Sequence, residues 1–303
     1  MSLREILKYT AAGRVLVIPY RFFCVALPYL GRQLGLMIRW TFSSKEHYNH
    51  TYDLTELNRQ YLDSYISVVS GHDVAVIEKY SKELQTDEDL RQLLRARTLA
   101  SPDRYNSDVE PRYGRRLGWY ALVRATKPRI VVETGVDRGL GTVVIAAALR
   151  RNSAEGFPGM VHATDIVPEC GHLLSEPYKT FCHIWIGDSV ETLKKFKEPV
   201  DIFIHDSDHR PDYEWAEFLA IKARLHARSL VLSDNSQQTA KLFEFAQILG
   251  KAFLYFHDAP KDHWWPGDGI GAAFVPGVKT CFSEVESAGL CGGALVGGPK
   301  AAE

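Results

Sequence analysis

The stretch Arg129–Leu149, RIVVETGVDRGLGTVVIAAAL, constrains this chain more than any other. Apolar, β-branched residues lead into Glu133, Gly135, Gly139 and Gly141 follow, and a run of Val, Ile, Ala and Leu closes it. That order reads as a buried strand, a glycine turn and the first turns of a helix. Glycine in such a turn tolerates positive φ and lets a ligand approach the backbone. The helix start behind it offers free N–H groups at the positive end of the helix dipole. The geometry suits a nucleotide-type cofactor without choosing among them.

Spacing narrows the choice. A dinucleotide fingerprint requires G-x-G-x-x-G, and the pattern here is E-x-G-x-x-x-G-x-G. Downstream the chain alternates strand and helix, which predicts a parallel sheet with right-handed crossovers. Strands are expected at Met160–Thr164, Phe181–Ile186, Val200–Ile204 and Ser229–Leu232, with further β candidates at Lys251–Phe256 and Ile270–Val275. An acidic residue closes each of the first five: Glu133, Asp165, Asp188, Asp206 and Asp234. Ligands of open α/β sheets bind beyond the carboxyl ends of the strands. Five carboxylates gathered there repel one another, so a cationic ligand or a metal is the expected reason for them.

The segment His205-Asp206-Ser207-Asp208-His209 and the segment Ser233-Asp234-Asn235 are the most specific features. Asp206, Asp234 and Asn235 are hard oxygen donors at the tips of neighbouring strands, which suits Mg²⁺, Ca²⁺ or Mn²⁺. With these motifs, Tyr113–Val275 resembles the class I S-adenosylmethionine (SAM)-dependent O-methyltransferases, in particular bacterial small-molecule and sugar enzymes and the cation-dependent group. The resemblance implies a Rossmann-like α/β fold: a seven-stranded, mostly parallel sheet with an antiparallel last strand, here with an N-terminal helical extension. It implies SAM held by Glu133, Thr134, Gly135, Gly139, Asp165, Ile166, Asp188, Ser189 and Asp206. Asp165 would meet the ribose hydroxyls, and Asp188, with Ser189, the adenine amine. A divalent cation, Mg²⁺ or another, would sit on Asp206, Asp234 and Asn235. Asp206, Asp208 and His209 would carry catalysis, with His209 as the favoured base because an imidazole titrates near neutrality. Cation-dependent plant enzymes carry a lysine beside the acceptor, where this chain reads His209-Arg210. The acceptor is expected to be a small molecule or a sugar or glycolipid hydroxyl. A hydroxylase on the same scaffold and a non-catalytic membrane-associated scaffold are the competing readings.

Composition sets outer limits. Hydrophobic residues make up 46% and charged residues 24% of 303, ordinary for a globular chain. A formal net charge of −1 gives no reason to expect a nucleic-acid partner. The five cysteines, Cys24, Cys170, Cys182, Cys281 and Cys291, are scattered and form no C-x-x-C. They read as free thiols of a reducing, cytoplasmic compartment.

Four regions follow: an apolar, arginine-bearing helix region (1–45), a helical cap (46–110), the catalytic domain (111–280) and a Gly/Ala-rich tail (281–303). In the first, Arg14, Arg21, Arg32 and Arg39 interrupt an apolar and aromatic sequence. Their spacing aligns them near one face of an ideal helix, although Pro19 and Pro28 are expected to kink it. The longest uncharged run, Phe22–Gly31, is short of the ~20 residues of a membrane span. No small-residue cleavage site follows an apolar core, so a signal peptide is not expected either. Two readings stay open for residues 11–40: packing on the domain or on a second copy of the chain, and peripheral contact with a membrane. The aromatic loop Asp258–Gly269 is expected near the carboxyl ends of the strands, available to stack on an acceptor or to pack on the cap.

Overall fold

The computed structural model describes Ser2, Glu5, residues 8–47 and residues 51–284. The tail beyond residue 284, with Cys291, lies outside the described residues. By packing, the chain divides into two units, each assembled from separate segments. The first comprises Met1–Arg59, Asp87–Arg115 and His257–Asp268, and the second Gln60–Thr86, Arg116–Phe256 and Gly269–Glu303.

In the first unit, α1 (Ala11–Tyr20), a π-helical segment (Arg21–Ala26) and α2 (Leu27–Ser43) form one run. The prolines do not break it. Pro28 has no N–H to give the preceding turn and its ring crowds that turn's carbonyl; a wider π turn ends immediately before it, with the Leu27 N–H on the Phe22 carbonyl. A π turn accommodates an extra residue, so the second arginine pair is rotated from the first by about 100°. The single arginine face expected from an ideal helix is therefore split into two pairs. The remainder of the unit is held by a buried knot. The Arg115 guanidinium donates to the Tyr52 hydroxyl at 2.8 Å and to Asp258 at 2.9 Å, and Tyr52 donates to the same Asp258 oxygen at 2.6 Å. Leu54 bridges Pro260, and the Asn58 side-chain amide donates to the His257 carbonyl. The aromatic loop packs on Trp40, whose ring centroid lies 5.5 Å from that of Trp264.

The two cap helices that belong mostly to the second unit are α3 (Glu56–Ser70) and α4 (Val74–Gln85); α5 (Glu88–Ala100) falls in the first. Ser70-Gly71 ends α3 as expected, Gly71 taking φ +70° with its Cα against the Val278 backbone. Beyond them α6 (Arg116–Thr126) leads into β1 (Ile130–Thr134) and α7 (Leu140–Ala154). There follow β2 (Met160–Asp165), β3 (Cys182–Ile186), α8 (Ser189–Lys195), β4 (Val200–His205), α9 (Pro211–Ile221), β5 (Leu225–Asp234), α10 (Lys241–Ile248), β6 (Ala252–His257) and β7 (Gly269–Phe274). The seven strands form one sheet in the order β3-β2-β1-β4-β5-β7-β6. β1 to β5 pair in parallel, and β7 pairs antiparallel with β5. This is the Rossmann-like α/β sheet expected from the sequence, mostly parallel with an antiparallel last strand.

Central strands are buried on both faces, as helices on either side of a parallel sheet require; all six residues of β4 are buried. Registered neighbours show which side chains share a face. Val132, Phe203, Val231 and Ala273 form one row across four strands, and with Phe218 and Phe245 from α9 and α10 they make the core of that face. The Ala-rich α7 is buried almost throughout, and small side chains let it lie close to α6 and β2. Its C-terminal end is tied to α6 and α4 by ions: buried Arg124 bonds Glu83 at 2.7 Å and Glu155 at 2.6 Å.

Candidate active site

Register decides which of the strand-end acids meet. Thr134 is level with Thr164 on β2 and with His205 on β4, and His205 is level with Ser233 on β5. Asp165, Asp206 and Asp234 each follow that row and share one level with Gly135. Glu133 precedes it, level with Ala163 and Ile204. Four acids close their strands; Glu133 lies two residues deeper and is 1% exposed. Its carboxyl accepts from the Thr142 hydroxyl at 2.6 Å and lies beneath Gly141, where a Cβ would come within 2.5 Å of it. Burial pushes its pKa up to about 7, partly offset by the Thr142 bond and Arg116 and reinforced by Asp165 and Asp234. Glu133, expected among the cofactor-binding residues, is built into the turn from strand to helix.

The polar row beneath the rim has a receiver that sequence reasoning missed. Glu217, fully buried on α9, accepts from the Thr134 hydroxyl at 2.7 Å and the Ser207 hydroxyl at 2.6 Å. It also accepts from Ser189 and lies 2.6 Å from His205 Nδ1. One carboxylate thereby joins β1, the start of α8, β4 and the loop after it. Glu214, one turn earlier, does the same for β5 through Ser233 at 2.7 Å and for the loop beyond through Thr239. Thr134 therefore spends its hydroxyl on the framework rather than on the cavity. The i, i+3 spacing of Glu214 and Glu217 behind Pro211 was the available signal, because such a pair shares one helix face.

Above this row lies a cavity of about 480 Å³ lined by Gly135, Asp137, Asp165, Ile166, Gly187, Asp188, Ser189, Asp206, Asp208 and Tyr213, among others. Gly135 has φ +85°, and a Cβ there would meet the Asp206 carbonyl at 2.0 Å, so only glycine fits the turn. Gly139 has φ +94° against Gly171 and does not line the cavity. Asp165 is held firmly: its oxygens accept from the backbone N–H groups of Val136 (2.8 Å), Asp137 (2.9 Å) and Val167 (2.9 Å). Ile166 beside it is 71% exposed, an apolar platform at the cavity mouth. Asp188 caps α8 through the Glu191 N–H and accepts from the Tyr213 hydroxyl at 3.0 Å. Tyr213, also missed from sequence, lies 2.9 Å from Ser189 as well. Its pKa is raised, mainly by burial, with Asp188 adding to the effect against Ser189.

Toward β5 a second group gathers. Ligand atoms of Asp206, His209 and Asp234 all lie within 4.8 Å of one another. The Arg116 guanidinium is 3.9 Å from one Asp206 oxygen, and His209 Nε2 is 3.9 Å from the other. The Asn235 amide nitrogen is 3.0 Å from His209 Nε2. Donating there, it fixes a neutral imidazole with its lone pair on Nε2. The sequence placed the cation on Asp206, Asp234 and Asn235 with His209 as base, and the structure brings all four side chains together. Two carboxylates and one imidazole suit Mn²⁺, Fe²⁺ or Zn²⁺ as well as Mg²⁺. Asp208 binds the Arg210 side chain at 2.8 Å and the Arg210 N–H at 3.0 Å, and those contacts hold its carboxyl below the usual carboxylate range. The other histidine of the segment, His205, is fully buried on Glu217 and stands outside the cluster.

In comparison with known proteins, residues 132–236 match a family model described as a methyltransferase domain. No curated protein matches the chain. Among solved structures, an O-methyltransferase from Bacillus cereus in complex with S-adenosylhomocysteine is similar at 16% identity, covering 66% of this chain and 99% of its own, with a TM-score of 0.46. The SAM-bound O-methyltransferase TomG of tomaymycin synthesis, from Streptomyces achromogenes, has 18% identity, coverages of 74% and 100%, and a TM-score of 0.44. A caffeoyl-CoA O-methyltransferase homologue from Staphylococcus aureus has 14% identity, coverages of 52% and 80%, and a TM-score of 0.38.

Proposed function

With residues 132–236 a methyltransferase domain, we propose that this protein transfers the methyl group of SAM to a hydroxyl oxygen of a small molecule or sugar, assisted by a divalent cation. The observation that carries the SAM assignment is the pairing of Asp165 with Ile166 at the mouth of the 480 Å³ cavity. A fixed carboxylate beside an exposed aliphatic surface suits a ribose diol next to a flat adenine. Three bonds to backbone N–H groups still leave lone pairs on the Asp165 carboxylate for the ribose hydroxyls. Asp188 and Tyr213 would meet the adenine edge, and the absence of a side chain at Gly135 leaves room for the cofactor's backbone.

SAM supplies a methyl on a positively charged sulfur, which an acceptor oxygen attacks in line. The chain's contribution is alignment and charge. Carboxylates at the rim favour a cationic cofactor over a phosphorylated one. Asp206, His209 and Asp234 are chemically suited to a cation, which would lower the pKa of a coordinated hydroxyl. The His209 Nε2 lone pair serves one partner at a time, so holding a cation there would release the Asn235 amide. Arg116 balances Asp206.

Calorimetric titration of SAM and S-adenosylhomocysteine into the full chain, with Mn²⁺ or with EDTA, tests the reading. Micromolar binding is expected, weakened roughly tenfold by Ile166→Asp, a loss of about 1.4 kcal/mol. No binding of either compound under any metal condition refutes it.

A further inference from the structure

The run Gly13–Ser43 is a helix of 31 residues, near 46 Å at 1.5 Å per residue, and only 6% of its most apolar window is buried. Every residue from Arg21 to Leu30 is exposed, among them Phe22, Phe23, Val25, Leu27, Tyr29 and Leu30. A contiguous apolar surface of this length is not stable against water and marks a face that something else covers. Charge identifies what. Between Glu5 and Glu46 there is no acidic residue, while Lys8, Arg14, Arg21, Arg32, Arg39 and Lys45 all fall there. Cations without counter-charges, interleaved with aromatics, complement an anionic lipid surface.

We propose that residues 13–43 dock this protein on an anionic bilayer, the helix lying in the plane of the headgroups. Its length and composition would allow a crossing. The spacing of charge favours the surface: only the ten residues Phe22–Gly31 separate Arg21 from Arg32, about half of a hydrocarbon span. A crossing helix would therefore hold an arginine at depth, which is strongly unfavourable. In plane, the two arginine pairs, rotated from each other by the π turn, both reach the headgroups along their aliphatic stems.

A cleft of about 860 Å³ adjoins the same helix, lined by Tyr29 and Arg32 together with Arg59, Lys261, His263 and Trp264. Glu56 and Asp262 also line it, and Glu56 is paired with Arg59. His263 Nδ1 accepts from the Trp265 N–H at 3.0 Å. The proton therefore sits on Nε2, which has no hydrogen-bond partner among the described residues, as the Trp264 indole N–H has none. Two unmet donors among cations and aromatic rings fit a lipid headgroup reaching into this cleft.

The test is co-sedimentation of the full chain with vesicles of phosphatidylcholine alone and of an equal mixture of phosphatidylcholine and phosphatidylglycerol. Binding is expected to be more than about tenfold stronger on the anionic vesicles. It should weaken in high salt and be released by alkaline carbonate. The double substitution Phe22→Ser/Phe23→Ser should lose about tenfold or more of the binding and leave the thermal midpoint unchanged, which separates lost docking from lost folding. A chain that stays in solution with both vesicles, or that forms a dimer through this helix and ignores lipid, overturns the proposal. Retention through carbonate also overturns it, in favour of a spanning helix.

Discussion

β4 and the helical segment Arg21–Leu30 treat polarity in opposite ways. In β4, Asp201 and His205 are buried, and each has partners: Asp201 accepts from the Arg129 and Ile130 N–H groups and pairs with His226, and His205 pairs with Glu217. In the helix, aromatic and aliphatic side chains stand exposed without a protein surface over them. A chain can afford a buried acid where donors converge on it. It retains an exposed apolar run where the covering medium lies outside the chain. Polarity inside and apolarity outside are therefore informative in the same degree, and substitutions at the two places should behave in opposite ways.

The largest effect is expected at Glu217. Glu217→Ala removes the acceptor of four side chains from different elements, leaving the Thr134 and Ser189 hydroxyls and His205 Nδ1 buried without it and the half-buried Ser207 hydroxyl likewise. Breaking a buried, charged hydrogen-bond centre costs about 3–5 kcal/mol, which for a domain of this size lowers the melting midpoint by about 10 °C or more. Differential scanning calorimetry reads it. A midpoint within a few degrees of the parent would mean that the four groups find other partners and that the framework is not centred on α9.

Next comes Glu133, buried like Glu217 but served by a single hydroxyl. Its folded pKa of about 7 stands above the ordinary 4.5, so the folded chain binds more protons than the unfolded chain between those values. The stability this group supplies is complete below about pH 4.5 and is lost as pH rises through 7, by at most about 3 kcal/mol. Glu133→Gln keeps an acceptor for Thr142 and has no proton to lose. In urea unfolding, the variant should match the parent near pH 4.5 and exceed it at pH 8. A constant difference across that range would show that Glu133 is ionised in the fold.

Glu133 also marks the limit of what the sequence could say. The strand–turn–helix at Arg129–Leu149 and the acidic residue that follows each later parallel strand are local patterns, and local patterns are legible. The depth of Glu133 depends on register: two residues separate it from the rim, and a count along one strand does not show which level its neighbours reach. Glu217 and Tyr213 were hidden for a related reason. They sit on a helix after the motif, and only pairing across β1, β3 and β4 brings Thr134, Ser189 and His205 to that helix. Asn235 meets His209 with φ +54° at Asn235; a positive φ at a non-glycine residue is set by the turn and cannot be read from residue spacing. The π turn that carries the long helix past Pro28 without a break is likewise not visible in residue spacing.

A smaller effect is expected at the acidic cluster. Asp234→Asn keeps shape and removes a charge from a group that includes Asp206 and His209. Affinity for Mn²⁺, measured by calorimetry on the full chain, should fall roughly tenfold or more, while SAM affinity without metal stays the same. If the variant binds the ion as the parent does, the cation reading of the cluster fails and the acids there serve Arg116 alone.

The smallest stability effect belongs to the helix, and its smallness is the point. Phe42, at 86% exposed, has almost nothing of the chain against it. Phe42→Ser should change the unfolding free energy by no more than about 0.5 kcal/mol, as substitutions at exposed positions do. A buried phenylalanine truncated in the same way, Phe203→Ala, should cost about 3–5 kcal/mol. Unfolding both variants in urea places the two regions on one scale. Equal losses would mean that α2 packs in solution against a surface of protein, and the contrast between buried polarity and exposed apolarity would collapse; a loss confined to Phe203 leaves the helix as an element that contributes nothing to folding and is retained for what it touches.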